Sequence, residues 1–483
     1  MRNSTTLLIF IVLLFVSGGC KKFLQVNSPI TSITSESVFT NDNTAISVLT
    51  HIYAVIGTRV NQPISPDVGF NSISLVTELS ADNLTLFNLD NEKMRNYYEN
   101  NLQSINNAAG TILWDRGYEY IYRVNAALEG LNASTTLTPR IKQQLIGEAK
   151  FFRAFYYFYL VNLYGDIPLT TTSDYLFNSA LPRSPVNTVY QQIITDLNDA
   201  RSLLDERYLA VDMKTPTVER IRVNKAAATA MLARVYLYTG EYANAELMAT
   251  EVINNPLYEI IKDDLGKVFL KNSRETIWSL QPTYANQNTW QPRFFLLPST
   301  GPNATFPVYL SADLINQFSP TDRRLGSWIG TATVGATKYN YPAKYKAGTA
   351  VTALTEYEMV LRLAEQYFIR AEARAQQDKL TGTNSALSDL NVIRERAGLL
   401  ASNETAKPRI LDLIGEERRR ELFTEWGDRW LDLKRTAKIN TVMGAYTTIK
   451  GGVWQPFKAL YPIAQSQLDL SPAIRDQQNP GYN

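Results

Sequence analysis

A chain of 483 residues with 48 Lys+Arg against 46 Asp+Glu lacks the basic excess that a nucleic-acid binder concentrates on one segment. One cysteine and one histidine exclude a disulfide framework and any multi-histidine or multi-thiolate metal site. At 45% hydrophobic residues, the composition is that of an ordinary globular protein.

The chain opens on Arg2 and then an unbroken apolar run, residues 7–16. That run is shorter than the roughly 20 residues a spanning helix needs, and it has the order of a secretory signal. Small residues follow, Ser17-Gly18-Gly19, and then Cys20. Residues 1–19 therefore read as a signal peptide ending at a thiol that can take a diacylglyceryl group, with Cys20 as the lipid attachment point. Ser17 departs from the Leu usual at that step of a bacterial lipobox. The densest later apolar run, residues 151–161, is broken by Arg153 and reads as a buried core helix. Membrane attachment would then rest on lipid alone, at about 0.8 kcal/mol per buried CH2.

Most of the remaining chain, residues 20–483, has helical period and reads as one all-α domain. Trp114, Tyr118, Ile121, Tyr122 and Asn125 recur at three- and four-residue steps. Thr138-Pro139 predicts the next helix start, with Thr138 as cap, and Gly165 followed by Pro168 predicts its stop. Ala230, Ala233, Tyr236, Gly240, Tyr242, Ala245 and Ala249 predict a tetratricopeptide-like helix pair turning at Gly240, and residues 357–398 repeat the plan more loosely. Such pairs cannot bury their apolar faces alone and must stack.

Two stretches interrupt the helical pattern, near 58–107 and 280–348, the second rich in Pro, Gly, Thr and aromatics. Long irregular insertions in a helical frame usually carry function. The ligand-binding candidates come from them: Asp82, Asn83 and Phe87 in the first, and Tyr284, Asn288, Trp290, Arg293, Trp328 and Tyr341, with Tyr339 nearby, in the second. Flat rings can stack on the C–H face of a sugar while amides and guanidinium bond its hydroxyls. Trp290, between Asn288 and Arg293, is the expected stacking ring.

Several blocks in order resemble the SusD/RagB family. They are Cys20-Lys21-Lys22-Phe23-Leu24; Gly147-Glu148-Ala149-Lys150-Phe151-Phe152-Arg153-Ala154, running on to Leu163-Tyr164-Gly165-Asp166-Ile167-Pro168; Glu417-Arg418-Arg419-Arg420-Glu421-Leu422; Arg429-Trp430 with Asp432-Leu433-Lys434-Arg435; and Asn479-Pro480-Gly481-Tyr482-Asn483. The resemblance implies an outer-membrane, cell-surface lipoprotein built on tetratricopeptide-like helix pairs with long ligand-facing loops. It also implies a SusC-like TonB-dependent barrel transporter as partner. Its ligand would be an oligosaccharide, or a peptide in some relatives, and no cofactor is implied.

Catalysis finds little support in the residues. His51 lies in an apolar helical run, and no G-x-S-x-G elbow or phosphate-binding loop is present. The adjacent carboxylates Asp263-Asp264 and Glu416-Glu417 would point apart on a helix rather than flank one glycosidic bond. A surface hydrolase and a pure scaffold remain as competing readings. The charged run 416–421 reads as surface ion pairs on a helix.

Overall fold

The computed structural model describes residues 38–57, 69–105, 110–283, 288–348 and 353–482. Cys20 and Tyr284 lie outside them. The described chain is mostly helical. It begins with α1 (Asp42–Gly57), α2 (Ile73–Ser80), strand β1 (Leu84–Leu86) and α3 (Glu92–Tyr98), followed by α4 (Ile112–Ala133) and α5 (Pro139–Tyr164). Strands β2 (Ile167–Pro168) and β3 (Arg183–Ser184) flank the short helix α6 (Tyr175–Ser179), and α7 (Val186–Leu203), α8 (Lys225–Tyr238) and α9 (Tyr242–Ile253) follow. The middle of the chain holds β4 (Thr276–Leu280), α10 (Gln291–Phe295), β5 (Val308–Leu310), α11 (Ala312–Asn316), α12 (Arg323–Trp328), β6 (Ile329–Val334) and β7 (Thr337–Pro342). The last part holds β8 (Glu358–Arg362), α13 (Leu363–Gln376), α14 (Ala386–Arg396), α15 (Lys407–Leu422), α16 (Asp428–Arg435), α17 (Ile439–Ile449) and α18 (Gln465–Leu470).

Successive helices pack as neighbours: α4 on α5, α5 on α7, α7 on α8, α8 on α9, α9 on α13, and α13 on α14 and α15. α5 is the longest helix of this row. Pro139 stands in its first turn, where a missing N–H costs nothing. Thr138 holds the cap position, but its hydroxyl donates to Asp42 of α1 instead of capping its own helix. Residues 151–160 are buried on every side, so the helix is a hydrophobic axis rather than an amphipathic face. The one charge inside that run, Arg153, makes two 2.7 Å bonds to Asp196 of α7. Gly240 turns α8 into α9 at φ +77, the left-handed region that glycine enters without a Cβ clash.

The two stretches expected to be irregular carry regular structure of their own. α2 and α3 fall within 58–107, and α2 is buried throughout. Within 280–348, β6 and β7 form a hairpin, Ile329↔Pro342 through Val334↔Thr337, closed by Gly335-Ala336. Gly335 sits at φ +59, as the first central position of a two-residue hairpin turn requires. The antiparallel pair β4–β8 lies in the core. There Trp278 of β4 packs edge-on to Phe151, Phe152 and Phe155 of α5.

The expectation of surface ion pairs over 416–421 is corrected. Glu416 pairs at the surface with Arg409 at 2.8 Å, whereas Glu417 and Glu421 are completely buried. Glu421 binds Arg362 at 2.7 Å, Arg324 at 3.1 Å and Arg396. Glu275 of the β4 approach completes the set with Arg396 at 2.8 Å, and Glu417 takes Arg324 at 2.5 Å. The arginines come from three separate elements, so this network ties α12, β8 and α14 to α15. Charges this deep are tolerated only when each has partners, because the desolvation cost is several kcal/mol per ion.

Candidate functional site

The strands near the middle of the chain set an aromatic face by simple alternation. In β1 the side chains of Leu84 and Leu86 point inward, leaving Thr85 and the following Phe87 on the outer side. β5 pairs with it antiparallel, Thr85 opposite Tyr309, and Val308 and Leu310 are buried while Tyr309 is half-buried. The bond from Phe87 N–H to Pro307 O, 2.7 Å, continues the ladder past the end of β1. The β6–β7 hairpin packs against β5 and brings Tyr339 to both rings. Its centroid is 6.0 Å from Phe87 and 5.2 Å from Tyr309, each edge-on at 88° and 83°.

The result is a rigid cluster of three rings, of which Phe87 is 48% exposed and the other two are half-buried. Phenols border it. Burial pushes the Tyr98 hydroxyl up to about 12 and raises that of Tyr309, so both stay protonated at neutral pH, Tyr98 buried beneath the cluster's edge and Tyr309 half-buried in it. Tyr341, two residues beyond Tyr339 on the same face of β7, lays its ring over Gly330 of the partner strand. A Cβ there would stand 2.3 Å from the Tyr341 ring, so glycine is what permits this cross-strand packing.

Asp82 and Asn83 play a supporting part. The Asp82 carboxylate makes two 2.7 Å bonds to Arg429 of α16. Burial pushes that carboxyl up, but Arg429 and Arg419 outweigh it and hold it well below the usual carboxylate range. The Asn83 carboxamide oxygen accepts from Arg419 at 2.8 Å. Ser311, at the end of β5, donates its hydroxyl to the Asp82 carbonyl at 2.7 Å. Together these bonds fix the start of β1 and the end of β5 to α15 and α16, which sets the aromatic face in place without presenting either side chain to a ligand.

The other expected contacts divide in the same way. Trp290 is only 5% exposed, with Arg293 5.4 Å above its ring, so the expected stacking ring faces the interior. Asn288 is also buried; its oxygen accepts from the Thr355 and Glu356 amides at 2.9 and 2.8 Å, which pins the loop before β8. Trp328 is fully buried and donates its indole N–H to Leu265 O at 2.9 Å, beneath the Arg362 and Arg396 guanidiniums. The structure thus gathers Phe87 with Tyr339 and Tyr309 and places Trp290, Trp328 and Asn288 elsewhere, inside. Tyr309 was not among the expected residues, although Val308-Tyr309-Leu310 shows the same inward-outward alternation as β1. Trp290→Ala is accordingly expected to act on the fold, costing about 3–5 kcal/mol as other large core truncations do; urea unfolding checks this.

Further clefts differ in lining: one of about 550 Å3 beside Tyr53, Leu209, Val211, Ile221 and Leu280 is mainly apolar, and another is edged by charges that satisfy one another. The largest of those described, about 720 Å3, runs between the α8–α9 turn and α15–α17 and is edged by the pairs Arg409–Glu416, Lys438–Asp412 and Arg435–Glu372. His51 is exposed on α1, its Nε2 2.7 Å from Arg123 Nη1. Among the described residues no group of His, Cys, Asp and Glu is arranged to hold a metal, and no helix is long and apolar enough to cross a membrane.

Comparison with known proteins agrees with this architecture. The SusD-like protein P2 of Formosa agariphila is 26% identical over 90% of this chain and 91% of its own. The fold matches a SusD superfamily protein from Parabacteroides distasonis with a TM-score of 0.77 at 23% identity, over 93% of this chain and all of that one. It also matches surface glycan-binding protein A from Bacteroides thetaiotaomicron, in a complex with laminarihexaose, at 0.72 and 20% identity, over 91% of this chain and 99% of that one. A SusD-like family model described as starch-binding associating with outer membrane matches residues 22–237, and the SusD family model matches residues 325–482. With matches in both halves and a shared fold along nearly its whole length, the chain belongs to the SusD/RagB family.

Proposed function

We propose that the protein is a non-enzymatic binder of nutrient oligosaccharide at the cell surface that delivers its ligand to a SusC-like TonB-dependent transporter in the outer membrane. The observation that carries the binding half is the Phe87, Tyr309 and Tyr339 cluster, prebuilt on paired strands and open to solvent. Apolar ring faces beside protonated phenols suit a sugar, whose C–H faces are apolar and whose rim is hydroxyl. A preformed site loses little ordering entropy on binding. The relatives support the same reading, since one is described with a bound laminarihexaose and the N-terminal family as starch-binding. The buried carboxylates described above are committed to guanidiniums, which speaks for binding without hydrolysis.

Incubation of the purified protein with a panel of oligosaccharides, scored for both retention and new reducing ends, tests this. Retention without new ends is expected; turnover of any retained glycan, or retention of none, would contradict it. For the surface location, Cys20 is the proposed lipid site. Cys20→Ser is expected to move the protein from the membrane pellet to the soluble or unprocessed fraction, as fractionation with mass spectrometry would show.

A further inference from the structure

The short helix α6 carries three consecutive large apolar residues that stand mostly in solvent: Tyr175, Leu176 and Phe177 are 71%, 78% and 56% exposed. Other exposed apolar side chains, such as Val211 and Leu400, are not part of such a run, and scattered ones are normal on any surface. The knob is nevertheless firmly held. Thr172 and Ser173 just before it bond the Glu129 carboxylate near the end of α4. Asp174 caps the helix by accepting from the Phe177 amide at 3.1 Å, and Asn178 donates to Thr172 O at 2.7 Å. A backbone so fixed around outward apolar side chains is built to present them.

The same end of α4 receives the N-terminal chain. Phe39 lies against Gly130, the residue after Glu129, Ser134 Oγ donates to Phe39 O at 2.6 Å, and Thr136 Oγ1 to Thr40 O at 2.9 Å. The exposed knob and the point where the N-terminal segment enters the fold therefore share the last turn of α4. We infer that Tyr175, Leu176 and Phe177 form a lipid-contact knob that seats the protein on the membrane surface beside its own anchor. The inference rests on the reading of Cys20 as acylated. The eighteen residue steps from Cys20 to Val38 can span up to about 60 Å, so the anchor alone leaves both height and orientation open. A second contact beside the tether's entry settles both. The occupant fits a lipid surface because none of the helix's five residues is buried and three in a row are large and apolar. Tyr, apolar in its ring and polar at its tip, lodges at the headgroup level, and Leu and Phe are side chains that bury at the acyl boundary beside it.

The test uses the acylated full-length protein on vesicles of phosphatidylethanolamine and phosphatidylglycerol, with and without brominated phosphatidylcholine as a contact quencher. Phe177→Trp adds a reporter on the knob and Leu400→Trp one at an exposed site in the loop after α14. The emission added by Phe177→Trp is expected to shift to shorter wavelength and to be mostly lost to the brominated lipid, while that added by Leu400→Trp is unaffected. If the protein sediments with the vesicles but Phe177→Trp emission is unquenched, the lipid seat is wrong and the anchor stands. If the acylated protein does not sediment with vesicles, anchor and seat both fall.

Discussion

Glu421→Ala is expected to destabilise the protein by about 3–5 kcal/mol, the range for breaking a buried ion pair by removing one partner. Glu421 accepts from Arg324, Arg362 and Arg396 in a site closed to water. Its loss leaves three guanidiniums in a low-dielectric region with less carboxylate between them. The cost is thus mostly the penalty of stranded charge rather than the worth of one bond. The surface pair Arg409–Glu416, with Glu416 five residues earlier on the same helix, is the internal control; Glu416→Ala should change stability by less than about 1 kcal/mol. Urea unfolding of both variants measures the difference. The same network sets a pH dependence. Burial raises the Glu421 carboxyl, but Arg396, Arg362 and Arg324 prevail and lower it far below the usual range. A carboxylate lowered on folding contributes stability that is fully present above its unfolded pKa, near 4.3, and is lost as pH falls toward the folded value. Wild type should therefore lose stability on acidification below about pH 5 more steeply than Glu421→Ala.

The second large effect concerns ligand. Tyr339→Ala is expected to weaken a retained oligosaccharide by on the order of 2 kcal/mol, by analogy with aromatic hot spots, or about thirtyfold in Kd. Tyr339 is the ring that touches both others, so its removal also takes the edge-on ring contact from each of Phe87 and Tyr309. Phe87→Ala should cost a similar amount and, being half-exposed, little stability. Titration calorimetry of each variant against wild type, with circular dichroism to confirm the fold, checks both. His51→Ala should leave binding unchanged.

Much of the helical frame was legible because its signals are local. Pro139 in the first turn and Gly165 after the last residue of α5 bracket a helix whose apolar run, 151–161, was long enough to read as core. The hairpin at Ile329–Pro342 was not read, because Pro and Gly around it resemble an irregular loop. Yet its Gly-Ala turn and the threonines and aromatics on either side carry a strand signal. The buried charges were misread for a different reason. Glu417 and Glu421 look on a helix like any solvated pair, and only Arg324, Arg362 and Arg396, arriving from distant elements, remove the water. Trp290 follows the same rule. A tryptophan among Asn, Gln and Arg in a proline-rich stretch reads as exposed, whereas chain contacts far away in sequence decide that it is covered. Phe87 was identified as a ligand candidate, and the strand that brings Tyr309 and Tyr339 to it became visible only in three dimensions.

The claim that sugar binds at this aromatic face is tested most directly by a crystal structure of the protein with an oligosaccharide it retains. A sugar ring stacked on Phe87 or Tyr339, with hydroxyls within hydrogen-bond reach of the neighbouring phenols, is the expected result. Ligand seated in the charged cleft between the α8–α9 turn and α15–α17, with the Phe87–Tyr309–Tyr339 face empty, would contradict it.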